Sequence, residues 1–283
     1  MDRRLAYAGL VSTAFIWGAT FPIIKYTLPY IDPLSFLFFR FIIASAVLFP
    51  FVIKKITKKN AIFGTVVGIP LFVGYVSQTI GLQFTSPSMS GLITGIYVVL
   101  TPVFSIFVLR SGRDLTKILF AAIAFFGMVL MTVNSTSGEF FGNMLTLICA
   151  VSYAFQMVYT EKFLKDGDPL VFTFFQLLVV GALSLVFHPS ALLRFSSLEI
   201  PYVAFSVVFN AVFGSAIAIW IMSASIKRIS AYLSALILIL EPVFAVAVST
   251  LLFHNSITIP MMIGGTIIIV SMILAIRREN SKR

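Results

Sequence analysis

Glu241 stands in the stretch LILEPVFAV, residues 238–246, within a long apolar run. A charged side chain is costly to bury there, and by default an acid so placed marks an ion or ligand pathway. The alternative is a structural carboxyl hydrogen-bonded to a neighbour. The same words occur earlier as YVVLTPVFSI, residues 97–106, with Thr101 in the place of the glutamate. Threonine can hydrogen-bond but does not titrate, so any chemistry that needs a mobile proton is confined to Glu241. Arg40, inside FFRF, is the second anomaly. A guanidinium inside an apolar run costs about 2.5–3.5 kcal/mol on insertion scales and must find partners. Two roles fit it equally: a clamp on neighbouring helix ends, or attraction of an anionic group.

Softer signals come from polar and aromatic residues that share a helical face. Thr94, Tyr97 and Thr101 recur at i, i+3 and i+7, Tyr75 and Gln78 share a face, and so do Tyr153, Gln156 and Thr160. With Trp17, Arg40 and Glu241, the residues Tyr75, Gln78, Thr94, Tyr97, Thr101, Tyr153 and Gln156 are expected to bind a small ligand. Pro22, Pro102 and Pro242 each remove a backbone hydrogen bond inside an apolar run and are the expected hinges. Lys25 is expected to snorkel to the membrane surface, and Glu161 to pair with Lys162 at headgroup level.

Enzyme chemistry finds no support. The two histidines, His188 and His254, have no second metal ligand at helical spacing, and no GxSxG, HExxH or phosphate-binding glycine loop occurs. The single cysteine, Cys149, excludes an intramolecular disulfide and a cysteine-cluster metal site. No catalytic residue, metal or cofactor is expected.

The elements that must carry these residues are membrane helices. Of the 283 residues 59% are hydrophobic, only 11% are charged, and mean hydropathy is +1.06. Soluble domains are about half apolar and a quarter charged. A spanning helix needs about 20 apolar residues. Ten runs qualify: 5–26, 33–53, 61–82, 88–109, 116–134, 140–162, 169–187, 201–223, 230–252 and 258–276. The net charge of +10 invites a nucleic-acid reading, but the positions of the charges oppose it. Of 20 Lys and Arg, 17 fall at the two termini and in alternate loops, one (Arg194) falls in the opposite loops, and two (Lys25, Arg40) lie within or at the edge of runs. That is the positive-inside pattern of a multi-pass protein of the cytoplasmic (inner) membrane with both termini cytoplasmic. No nucleic-acid partner is expected.

The runs repeat. DPLSFLFFRF from residue 32 aligns without a gap on DPLVFTFFQL from residue 168, an offset of 136 that pairs Arg40 with Gln176 and Trp17 with Tyr153. SGLITGIYVVLTPVF from residue 90 aligns on SAYLSALILILEPVF from residue 230, an offset of 140 that pairs Thr101 with Glu241 and Pro102 with Pro242. Two five-helix units follow, residues 1–136 and 137–283. Five is odd, so the second unit enters the membrane from the opposite side, and inverted repeats place ligand sites near the bilayer midplane between the halves.

The two-unit plan, the opening WGATFPIIK, the arginine in FFRF, and the paired LTPVF and LEPVF together resemble the EamA-type branch of the drug/metabolite transporter superfamily, over nearly the whole chain. The chain departs from that family where a Gly-Glu pair is common: it reads SGRDLT, with the acid late as Asp114, and FHNSIT, with Asn255. The resemblance implies an all-α integral membrane protein of ten transmembrane helices in two inverted repeats, with a cavity lined by helices one, three, four, six, eight and nine. It further implies a permease or exporter of a small metabolite, an amino acid among the candidates, working by alternating access. Expected partners are a small-molecule substrate, the lipid bilayer and, as a candidate coupling ion, protons. The alternative is a channel-like or sensory membrane protein without coupled transport.

Overall fold

In a computed structural model the described residues are 1–110, 114–132, 140–244, 247 and 258–281. They form helices α1 (Arg3–Thr27), α2 (Pro33–Val52), α3 (Lys58–Phe84), α4 (Pro87–Thr94), α5 (Tyr97–Val108), α6 (Leu115–Thr132), α7 (Phe140–Phe163), α8 (Pro169–Phe187), α9 (Pro201–Ala211), α10 (Ala218–Ile226), α11 (Ala231–Leu238) and α12 (Ile259–Ser281). Among the described residues there is no strand. Eight helices are long and apolar enough to cross a membrane, counting Met89–Val108 and Pro201–Ile226 each as one. Two further apolar helices, Leu115–Leu130 and Ala231–Phe244, are shorter. The expected extension of the first to 134 lies outside the described residues, and so does that of the second to 252, residue 247 excepted.

The repeated DPL motif starts a helix each time. Asp32 Oδ1 accepts from Ser35 N–H at 2.9 Å, and Asp168 Oδ1 accepts from Leu170 N–H at 2.7 Å, with Pro33 and Pro169 in the first turn. An acceptor at the N-cap satisfies a free N–H, and proline has none to lose there. Two long elements are interrupted. The chain turns at Gly95 and Ile96 between α4 and α5, and at Ile239 and Leu240 before the helix resumes at Glu241. The second turn falls two and three residues ahead of Pro242, whose ring crowds the preceding turn. The first falls six and seven residues ahead of Pro102, and α5 runs through that proline unbroken. A third irregularity, a π-helical segment Val212–Ile217 between α9 and α10, has no proline or repeat motif to announce it.

The interior is apolar, and so is the outer surface. Phe51, Phe107, Leu119, Phe126 and Ile263 are exposed on the outer surface, while Gln156, Gln176, Asn210, Thr101 and a series of serines are buried inside. Lipid solvates the former; of the latter, Ser45, Thr101, Ser184 and Asn210 donate to backbone carbonyls of their own helices, while Gln156 donates to Gln176. The ends of the chain lie together, since Tyr7 Oη donates to Asn280 Oδ1 at 3.3 Å.

Candidate functional site

A cavity lies within the bundle, walled by α1, α2, α3, α4, α5, α7, α10 and α11 and by Glu241. Nine of the ten expected ligand-binding residues line it: Trp17, Arg40, Tyr75, Gln78, Thr94, Tyr97, Tyr153, Gln156 and Glu241. Thr101 does not. Its side chain is fully buried and its hydroxyl donates to Tyr97 O at 2.7 Å, so it is spent on its own helix. The helices that the family resemblance implied all contribute, and α2 adds Arg40.

Arg40 is 2% exposed. Its Nε donates to Ser215 Oγ at 2.7 Å and its Nη2 to Gly214 O at 3.3 Å. Its guanidinium carbon lies 4.8 Å from the Tyr75 ring centre and 5.1 Å from that of Phe41. Aromatic faces attract a cation most when water is excluded. No carboxylate among the described residues pairs with it, so hydroxyl, carbonyl and rings hold a net positive charge on the cavity wall. Ser215 and Gly214 belong to the π-helical segment, where the changed hydrogen-bond register presents the Gly214 carbonyl to side chains. That carbonyl also accepts from Trp17 Nε1 at 2.9 Å.

The two mated aromatics each reach a glycine, by different contacts. The Trp17 indole reaches Gly214, and the Tyr153 ring lies on Gly74, where an added Cβ would come within 2.4 Å of Tyr153 Cε1. Gly74 and Gly214 are themselves 140 residues apart, the offset of the second alignment, and so are Tyr75 and Ser215, the two flanks of the Arg40 guanidinium. Tyr153 Oη donates to Gln78 Oε1 at 3.3 Å, and Gln78 Nε2 donates to Thr94 Oγ1 at 3.1 Å, fixing three expected ligand groups in one chain. Tyr97 Oη is buried with no hydrogen-bond partner among the described residues.

Glu241 also lines the cavity and makes no side-chain hydrogen bond or ion pair among the described residues. Gln156 forms the floor and turns away from the cavity into protein: its Nε2 donates to Gln176 Oε1 at 2.7 Å and meets Thr160 Oγ1 at 3.3 Å. Thus Gln176, the mate of Arg40, is fully buried off the cavity.

Two expectations are corrected. Lys25 does not snorkel: its Nζ donates to the carbonyls of Leu82, Gln83 and Thr85 at the end of α3, where a cation neutralises free carbonyls. Glu161 does not pair with Lys162; it accepts the Ala231 N–H at 2.7 Å and caps α11, while Lys162 lies over Tyr159 and Phe163. The apolar wall, including Ile24, Leu71, Met157, Ile219, Met222 and Leu238, carries no sequence signal, because apolar residues facing a cavity and facing lipid look alike. His254 and Asn255 lie outside the described residues.

Comparison with known proteins places this architecture. The model of the EamA-like transporter family matches twice, over residues 4–133 and 140–277. An uncharacterized transporter of Archaeoglobus fulgidus is 30% identical over 278 residues, 97% of this chain and 86% of that protein. The uncharacterized transporter YyaM of Bacillus subtilis is 29% identical over 97% of this chain and 94% of its own. An S-adenosylmethionine uptake transporter of Rickettsia prowazekii is 29% identical over 153 residues, 52% of each protein. A chain of known crystal structure superposes with a TM-score of 0.79 over 100% of both chains at 17% identity, a likeness of fold alone. A multi-pass helical membrane protein with a central cavity, matched along nearly its whole length, this chain belongs to the EamA-like transporter family.

Proposed function

We propose that the protein is a secondary transporter that carries a small zwitterionic metabolite, of the size and charge of an amino acid, across the cytoplasmic membrane. It works by alternating access of two inverted five-helix halves, residues 1–136 and 137–283, with both termini in the cytoplasm. The observation that carries the substrate class is that the Arg40 guanidinium and the Glu241 carboxyl line one cavity without pairing with each other. A ligand bringing its own carboxylate and ammonium would complete both, whereas a neutral one would leave the Arg40 charge without a carboxylate. Trp17, Tyr75, Tyr97 and Tyr153 supply apolar area for the rest of the ligand. The inverted repeat is supported by the double family match and by the reach of the mated aromatics to mated glycines, Trp17 to Gly214 and Tyr153 to Gly74. Glu241 is the candidate for coupling to protons, because it alone of the mated pair titrates and because it stands beside Pro242 at an interrupted helix. Pro22 and Pro102 are further hinge candidates, each inside a helix that walls the cavity.

The test is counterflow in proteoliposomes with labelled amino acids and S-adenosylmethionine, itself a carrier of carboxylate and ammonium. A carrier exchanges labelled for unlabelled substrate with saturation; steady conductance without counterflow would make the protein channel-like. In the same assay Glu241→Gln should still exchange substrate but no longer concentrate it in an imposed pH gradient. Accumulation at the parental level would leave Glu241 without a role in coupling.

A further inference from the structure

A second cavity lies at the end of the bundle where the start of α1 meets the end of α12. No residue lines both cavities. They share two helical elements: Tyr97 faces the central cavity and Pro102 the terminal one on α5, and Leu238 and Tyr232 do the same on α11. Between Tyr232 and Leu238, residues Leu233 to Ile237 are at most 1% exposed, a packed layer that separates the cavities.

Charged side chains tie the wall of the terminal cavity together. Arg278 of α12 donates from Nη1 and Nη2 to the two carboxylate oxygens of Asp114, just ahead of α6, both at 3.0 Å. Lys117 of α6 lies 3.5 Å from Glu279 Oε2 of α12, and its Nζ stands 5.5 Å above the Tyr232 ring on α11. Asp114 and Lys117 belong to the first matched segment of the chain; Tyr232 lies within the second, and Arg278 and Glu279 follow directly after its end at residue 277. Side-chain exposures of 27% and 21% for the first pair, and of 29% and 14% for the second, remove both from the class of freely solvated surface pairs. A forked two-bond arginine–carboxylate pair is also the strongest and most directional of such contacts. The Tyr232 hydroxyl, buried in this wall, has no hydrogen-bond partner among the described residues.

We propose that the Asp114–Arg278 and Lys117–Glu279 pairs are a gate, which holds the two halves shut at the end of the bundle bearing the termini and must part for the central cavity to open there. The proposal rests on the alternating-access reading above. Opening at that end requires α5 and α6 to separate from α11 and α12, and both pairs lie across that seam. Parting also draws the aromatic floor at Tyr232 away from Lys117 and lets water reach its hydroxyl. The α11 layer between the cavities then moves with the helix that leads to Glu241.

The test uses the full chain in proteoliposomes of known orientation, in a Cys149→Ser background with one reporter, Met157→Cys, on the wall of the central cavity. The probe is a membrane-impermeant maleimide applied to one face at a time. Arg278→Gln and Asp114→Asn should each raise labelling from the terminus-bearing face by about tenfold and lower it from the other, as a shift between two states requires. The exchanged pair Asp114→Arg with Arg278→Asp should restore the parental rates. Lys117→Gln gives a milder version should either of the others fail to fold. Unchanged labelling in folded variants overturns the gate, and so does a rise from both faces at once, since the pairs would then merely hold the fold. A parent protein labelled equally and at once from both faces overturns alternating access itself, whatever the variants do.

Discussion

Arg40 and Gln176 occupy equivalent places on α2 and α8, in the eighth residue after a DP start, yet one faces the central cavity and the other is sealed in protein. The charged residue is held by the π-helical segment and two aromatic rings; the neutral one is held by Gln156. The same unevenness recurs at Glu241, which lines the cavity, and Thr101, which bonds to its own backbone. By contrast the mated aromatics both reach mated glycines, Trp17 through a hydrogen bond to Gly214 O and Tyr153 through its ring on Gly74. The two halves thus share positions that build the cavity and differ in the groups that charge it. A ligand with unlike ends needs such a difference, because a symmetric cavity would offer it the same group twice.

The sharpest way to break the comparison is Gln176→Arg. If equivalent places were interchangeable, a guanidinium would be tolerated there as it is at Arg40. At Gln176, fully buried and bonded to Gln156, the added charge has no seat of the kind that Ser215 and Gly214 give Arg40, so insertion should cost at least about 2.5–3.5 kcal/mol. The variant should be lost from the monodisperse fraction after solubilisation, or unfold at a clearly lower temperature. Arg40→Gln copies the mate in the other direction. It should fold, because glutamine can bond to Ser215, but lose the bonds to an anionic group. Bonds to charged groups contribute about 1.5–3 kcal/mol, so apparent affinity for a zwitterion should fall roughly 10- to 100-fold in counterflow.

Next come the mated glycines. Gly74→Ala places a Cβ against the Tyr153 ring and should cost about 1–3 kcal/mol in thermal unfolding as the ring is displaced. Gly214→Ala meets Thr20, Arg40 and Asn210 only at 3.3 to 3.4 Å and should cost less. Equal losses would mean that the seats are more alike than their geometry. The smallest effect belongs to Thr101→Val. The hydroxyl it removes bonds only within its helix, so stability should change by under about 1 kcal/mol and substrate affinity should not change. A large loss of transport there would restore Thr101 to the binding site and weaken the contrast with Glu241.

Much of this was legible in the chain itself. Apolar runs of spanning length dictate helices, because lipid offers backbone groups no other partner, and the DPL motif marks two of their starts to the residue. Polar residues in such runs are costly enough to signal a site, so nine of ten expected cavity residues lie together. What spacing along one helix could not decide was direction toward a partner on another. Thr101 shares a face with Tyr97 but is spent on a backbone carbonyl, and Lys25 and Glu161 sit near span ends but cap helices remote in sequence. The π-helical segment, the packed layer on α11 and the ion pairs from α6 to α12 likewise exist only once distant segments meet. The physical reason is common to all of them. Local sequence fixes a residue's depth and the face of its helix, whereas the partner that satisfies a buried charge or hydroxyl comes from tertiary packing.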